Sequence, residues 1–217
     1  MQLMSQRLPA AIEERSFEII DNEFGANKPF SGPAWEVARR IIHAAGDPSL
    51  AEDLHLPEDA VRAGVEALAA GAPIFTDTMM VKVGISEKKL PKQNPVRCIL
   101  DSPDIARVAE QEGCTRSRAG MLRLGEALNG AVVVVGNAPT ALLALLELCE
   151  THNLRPALVV GMPVGFVNAA ESKELLVGAP SLPSIALRGR RGGSPLAAAT
   201  INALAVLARA GDSTVFS

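Results

Sequence analysis

The feature that most constrains the fold is the unbroken run Ala131-Val132-Val133-Val134-Val135. Four consecutive β-branched residues with no polar partner leave an extended chain without a solvent face. They fit a strand covered on both sides, as in a parallel sheet with helices packed on each face. Parallel strands need long crossover connections, and the rest of the chain supplies them. Further strands are expected at 72–76, 96–100, 157–160 and 184–187. Helices are expected between and around them at 77–83, 104–112, 116–128, 138–150, 169–177 and 193–210. Ahead of these lie a short amphipathic helix at 11–21, a turn-rich loop at 25–33, a helix opened by Pro33 and stopped by Gly46, and another running from Pro57 to Gly71. The alternation predicts an α/β fold: a doubly wound, mainly parallel five-stranded sheet in three α/β/α layers. The length of 217 residues suits one domain, expected to span 1–217 with an N-terminal helical segment at about 11–46.

Composition removes several classes of function. With 48% apolar and 21% charged residues the chain has enough apolar surface for a packed core, so disorder is excluded. A net charge of −3, one Trp, six Phe and no Tyr give neither the basic patch nor the stacking platform of a nucleic-acid binder. Cys98, Cys114 and Cys149 form no CxxC pair and read as free thiols rather than a disulfide frame. Gln6, Arg7, Pro9, Glu13 and Glu14 interrupt any leader core. No apolar run reaches the ~20 residues that span a bilayer. A soluble, cytoplasmic protein is expected, with neither nucleic acid nor membrane as a partner.

Ligands of doubly wound sheets bind at the carboxyl ends of the strands, so the strand-to-helix turns carry the functional expectations. In Gly136-Asn137-Ala138-Pro139-Thr140 the glycine permits a sharp turn and Asn137 suits an N-cap. The free amides there either face an anionic ligand or serve a plain helix cap. In Gly161-Met-Pro-Val-Gly165-Phe166-Val167, Gly165 lets a flat ligand approach the backbone. Lys173, in the first turn of the following helix, calls for an anionic partner, either a ligand or Glu171 or Glu174. Arg188-Gly-Arg190-Arg191-Gly-Gly-Ser194 reads as a carboxylate or phosphate cradle, with a solvated basic turn as the plainer reading. Cys114-Thr115-Arg116-Ser117-Arg118 at a helix start is either an anion site or a simple cap. There is no GxxxxGK[ST], and the last glycine segment has the wrong spacing and position for GxGxxG, which counts against a nucleotide- or phosphosugar-binding enzyme.

Of three histidines, His55 and His152 are expected to be solvated. His43 shares a helix with an apolar stripe of Val37, Ile41 and Ala44. Beside that stripe Glu36, Arg39 or Arg40 and His43 form a polar face. A histidine there can exchange a proton near neutrality, and it also fits a structural role. No second His or Cys stands at metal-ligand spacing, so no metal site is expected.

Taken together, the segments 135–147 (VGNAPTALLALLE), 161–173 (GMPVGFVNAAESK) and 188–194 (RGRRGGS) resemble the blocks of precorrin-8X methylmutases. So do Arg15-Ser16-Phe17-Glu18-Ile19-Ile20, the stretch Ile41 to Asp47, Gly71-Ala-Pro-Ile74 and Thr115-Arg116-Ser117. The resemblance runs over residues 11–207. It implies a flavodoxin-like fold, a homodimer and an isomerase of cobalamin biosynthesis. The reaction implied is an intramolecular 1,5-sigmatropic methyl shift from C-11 to C-12. It converts precorrin-8X to hydrogenobyrinic acid, or cobalt-precorrin-8 to cobyrinic acid. The residue matching the family's proton donor or hydrogen-bond partner is His43. The substrate contacts implied are Arg15, Ser16, Thr115, Arg116, Ser117, Asn137, Gly165, Phe166, Lys173, Arg188 and Arg190. No cofactor is implied, although the tetrapyrrole substrate can itself carry cobalt. Glu13, Met79 and Cys114 depart from the family pattern. A corrinoid carrier without turnover would keep the arginine rim and dispense with His43.

Overall fold

The computed structural model describes residues 9–211. The leader reading, which rests partly on Gln6 and Arg7, and the ends of the expected 1–217 domain lie outside the described residues. In chain order the elements are α1 (Pro9–Phe24), α2 (Gly32–Ala45), β1 (Leu54–His55), α3 (Glu58–Ala69), β2 (Ile74–Thr76), α4 (Met79–Gly84), β3 (Val96–Cys98), α5 (Ile105–Gln111), α6 (Arg116–Leu122), β4 (Val132–Val135), α7 (Pro139–Thr151), β5 (Leu158–Gly161), α8 (Ala169–Val177), β6 (Ser184–Leu187) and α9 (Ser194–Ala210). Short 3-10 turns lie at Pro48–Asp53, Glu87–Lys89 and Gly125–Leu128.

The valine run forms β4 near the middle of one sheet ordered β1-β6-β5-β4-β2-β3. It pairs in parallel with β5 on one side and β2 on the other. Alternation along the strands then fills two cores. Val132, Val134, Leu158, Val160, Ile185 and Leu187 pack with α2, α3 and α9. Val133, Val135, Val159 and Ala186 pack with α7 and Met121 of α6. Each fully buried Val or Leu side chain contributes roughly 1.5–3 kcal/mol, which is why a strand with no polar face is stable only here. The chain runs from β2 outward to β3 and returns to β4 on β2's other edge, so the strand order reverses between β2 and β4. A reversal of this kind opens a crevice above the carboxyl ends.

The expected five strands become six. Leu54 and His55 pair antiparallel with Leu187 and Ala186, forming an edge strand of two residues. His55 is consequently half-buried rather than solvated, and burial lowers its imidazole below the ordinary range, with Arg188 adding to the effect. His152 is exposed as expected, its ring on the Thr151 hydroxyl at 2.7 Å. The helix expected over 116–128 ends at Leu122. The chain re-forms as a 3-10 turn opened by Gly125 at φ 47°, a backbone angle that suits glycine and stops an α-helix. In α2 the apolar stripe holds for Val37 and Ile41, but Ala44 is exposed. Gly46, at φ 65°, ends that helix by donating its N–H to the Ile42 carbonyl at 2.8 Å.

Candidate active site at the carboxyl ends of the strands

The turn after β4 does not offer its amides to solvent. Asp77, at the end of β2, is fully buried beneath it, and its carboxylate accepts the N–H groups of Gly136 (2.9 Å), Asn137 (2.8 Å) and Ala138 (2.7 Å). Burial pushes the Asp77 carboxyl above its usual range while these three bonds oppose the shift. The anion at the start of α7 is therefore supplied from within the chain. Ala138, not Asn137, is the N-cap residue, and Asn137 stands exposed above the turn. Next to Asp77, the Thr78 hydroxyl caps α4 and meets the Ser194 hydroxyl at 3.2 Å, joining the start of α4 to the start of α9. Gly136 has no room for a side chain: a Cβ would stand 2.6 Å from Val81 and 2.9 Å from the Ser194 backbone.

The loops after β5 and β6 are stitched together. Gly165 N–H donates to the Arg190 carbonyl and Gly193 N–H to that of Met162, at 3.2 and 2.8 Å. Phe166 is 82% exposed, with the Arg190 guanidinium stacked 5.3 Å from its ring centre. The three arginines of this segment have different fates. Arg188 pairs with Glu174 at 2.5 Å. Arg191 bonds Asp47 (2.9 Å), Ser49 (2.9 Å) and Asp53 (2.7 Å). Arg190 has no acidic partner among the described residues and faces solvent. Lys173 departs from the rim expected of it. It is 0% exposed and its ammonium donates to the Arg191 carbonyl at 2.7 Å, so it holds the arginine loop from inside and pairs with neither Glu171 nor Glu174.

His43 is exposed at the end of α2. Its ring meets Phe17 of α1 edge-on, 5.5 Å between centres. It lines a hollow of about 250 Å³ with Ser16, Ile19, Ile20 and Glu23 of α1 and with Ile42, Gly46 and Pro48. The neighbouring cations are compensated. Arg39 bonds Asp21 at 2.6 Å and also Glu36, and Arg40 bonds Glu13 at 2.7 Å. Both guanidiniums lie over Phe17, at 4.5 and 5.1 Å. Glu13, a departure from the family pattern, thus has a structural use, and its carboxyl is held below the ordinary range chiefly by the bond from Arg40. Arg15 pairs with Glu18 on the exposed side of α1, and the Ser16 hydroxyl bonds the Ile12 carbonyl.

Thr115 caps α6 by accepting the Arg118 N–H, and its hydroxyl meets that of Thr140 at 2.8 Å. Arg118 pairs with Glu147. Ser117 is half-buried, and Arg116 is exposed with no acidic partner among the described residues. The structure therefore gathers the expected residues into three groups at one end of the sheet: Ser16 with His43; Gly165, Phe166 and Arg190, with Arg188 alongside; and Thr115, Arg116 and Ser117 near Asn137. Sequence reasoning missed Asp77 beneath the turn after β4, the packing of Phe17 on His43, and the use of Arg191, read as part of a ligand cradle, to bind Asp47 and Asp53. Among the described residues no group of three or more His, Cys, Asp and Glu could hold a metal ion, and no helix is long and apolar enough to cross a membrane.

Comparison with known proteins identifies the family. Residues 11–207 match the family model of precorrin-8X methylmutase. The chain is 47% identical over 171 residues to a precorrin-8X methylmutase of Pseudomonas aeruginosa, covering 78% of this chain and 82% of the relative. It is 36% identical over 204 residues to a cobalt-precorrin-8 methylmutase of Priestia megaterium, covering 94% and 90%. The crystal structure of a precorrin-8X methylmutase from Thermus thermophilus superposes with a TM-score of 0.85 at 43% identity, covering 94% of this chain and all of that one. The chain belongs to the precorrin-8X methylmutase family.

Proposed function

We propose that the chain isomerises precorrin-8X to hydrogenobyrinic acid, or cobalt-precorrin-8 to cobyrinic acid, in cobalamin biosynthesis. The methyl group leaves C-11 and bonds to C-12 of the same macrocycle, so substrate and product have the same composition. Such a shift asks for a held geometry and polarisation of the conjugated ring rather than a nucleophile. No cofactor is invoked, and any cobalt belongs to the substrate. The observation that carries the reading is His43: an exposed imidazole, steadied by Phe17, in a hollow at the end of the sheet where the arginine loops gather. It lends a proton or hydrogen bond to the ring and takes it back as the methyl settles. Arg116 and Arg190, free of acidic partners among the described residues, suit the acetate and propionate arms. Phe166 and Gly165, at φ 145°, offer a flat apolar contact.

The finer features belong to the same reading. The five parallel strands, numbered among themselves, run 2-1-3-4-5, the order of flavodoxin-like sheets. We read the described residues as one catalytic unit that works as a homodimer. Three unpaired cysteines, two of them buried, fit the cytoplasm.

The experiment is conversion of precorrin-8X and of its cobalt form, followed by visible spectrum, with wild type beside His43→Ala. Wild-type turnover and a loss of roughly 10²-fold or more in the variant, with product binding retained, is the expected result. Equal turnover by both would remove His43 from the chemistry. Binding without turnover by the wild type on either substrate would make the chain a corrinoid carrier.

A further inference from the structure

The β6–α9 loop is held from three sides at Arg191 and Gly192. The Lys173 ammonium, fully buried, takes the Arg191 carbonyl from below. Beside it, Gly192 lies so close to the β5 loop that a Cβ would stand 2.3 Å from the Met162 carbonyl oxygen and 2.9 Å from that of Pro163. On the outer side the Arg191 guanidinium spans Asp47, Ser49 and Asp53, and the Arg188 N–H donates to the Asp53 carbonyl at 2.9 Å. Asp47 directly follows Gly46, the residue that ends α2, and is four residues beyond His43.

From this we infer that Arg191 is a positioning residue: it ties the end of the His43 helix to the loop bearing Arg188 and Arg190, and so sets the imidazole against the arginine rim. The inference rests on His43 being the reacting histidine. Arg191 does not suit a substrate carboxylate, because both terminal nitrogens of its guanidinium already donate within the chain, one to Asp47 and the Ser49 hydroxyl, the other to Asp53 and the Ser49 carbonyl, which leaves no free two-nitrogen edge for a bidentate contact. Asp47 is itself committed, since its other oxygen accepts the Ser49 N–H at 3.0 Å. Single partly exposed ion pairs contribute little to stability. A guanidinium shared between two carboxylates from one segment instead fixes a direction. Direction matters here, because a misplacement of about 1 Å at a reacting group costs on the order of 10²-fold in rate.

The test uses the full chain and the variants Arg191→Met, which keeps an apolar stem, Arg191→Lys, the double variant Asp47→Asn with Asp53→Asn, and that double variant combined with Arg191→Met. Two quantities are read. One is the His43 imidazole proton resonance, assigned by its disappearance in His43→Ala. The other is kcat and KM for methyl transfer. Arg191→Met is expected to move or broaden the His43 resonance and to lower kcat roughly 10- to 100-fold, with KM changed less than about fivefold. Arg191→Lys should recover part of both. The double acid variant should reproduce the loss, and combining it with Arg191→Met should add little. An unmoved resonance and unchanged kcat in Arg191→Met would overturn the inference, and a rise in KM alone would make Arg191 a substrate ligand instead. Should the wild type convert neither substrate, the proposed function fails, while the resonance alone still decides whether Arg191 sets the histidine. Should Arg191→Met not fold, Arg191→Lys and the acid variant carry the same readings.

Discussion

At the scale of the residue, Lys173 has the most unusual setting. Burial lowers its amine to about 8, against the opposing pull of Asp53 and Glu174. The native state therefore disfavours the charged form relative to the unfolded chain. The resulting penalty is complete below about pH 8 and is relieved as pH rises toward the unfolded value, where the unfolded chain still binds the proton that the native chain has released. The neutral amine can still donate to the Arg191 carbonyl. Wild type should consequently gain about 2 kcal/mol over Lys173→Met between roughly pH 7.5 and 9.5. Urea titrations of both proteins at several pH values check this, and a constant difference would mean the amine is not desolvated as placed. The sequence marks Lys173 as odd, because a cation in the first turn of a helix opposes the dipole. It does not reveal that the answer is a backbone carbonyl 18 residues away. Nor does it separate Arg191 from Arg188 and Arg190. The acids that occupy Arg191 lie 138 and 144 residues earlier in the chain.

At the scale of elements, the long apolar runs were legible because their pattern permits one environment. β4, β5 and β6 stand where the valine and isoleucine runs place them. β1 was not legible, since two residues carry no period and their pairing depends on Leu187 and Ala186 far along the chain. The turn after β4 was legible as a turn but not in its use, because its anion comes from Asp77 on a different strand. The loops after β5 and β6 form a joint whose tightness is set by Gly192. A Cβ there would press on two backbone carbonyls, which cannot turn aside as a side-chain tip can. Gly192→Ala should cost roughly 1–3 kcal/mol of stability. By parting Gly165 and Phe166 from Arg190, it should also weaken product binding. A denaturant midpoint and a product titration measure the two effects. Loss of stability with product affinity intact would show that the two loops bind independently.

At the scale of the whole molecule, the hollow at His43, about 250 Å³, falls below the roughly 300–1,000 Å³ usual for a site enclosing one small ligand. A macrocycle with many carboxylate arms is larger than most such ligands. His43 also lies on the layer formed by α1, α2 and α9, whereas Arg116 begins α6 on the opposite layer, where its neighbour Thr115 touches the start of α7. One chain thus presents the proposed proton carrier and an arginine with no acidic partner among the described residues on different sides of its sheet. In the proposed homodimer a two-fold axis gives both sites the same complement, and we propose that the partner supplies the side that one chain lacks. On this proposal each site takes His43 from one subunit and Arg116 from the other. Separately prepared His43→Ala and Arg116→Ala proteins should each be nearly inactive. Dissociated and reassociated together, they should form mixed dimers in about half of all pairings, each with one intact site, and so recover about a quarter of wild-type activity. Sedimentation of each protein fixes its oligomeric state, and turnover after mixing gives the recovery. If both residues served a site within one chain, every site in the mixed dimer would still lack one of them and no activity would return.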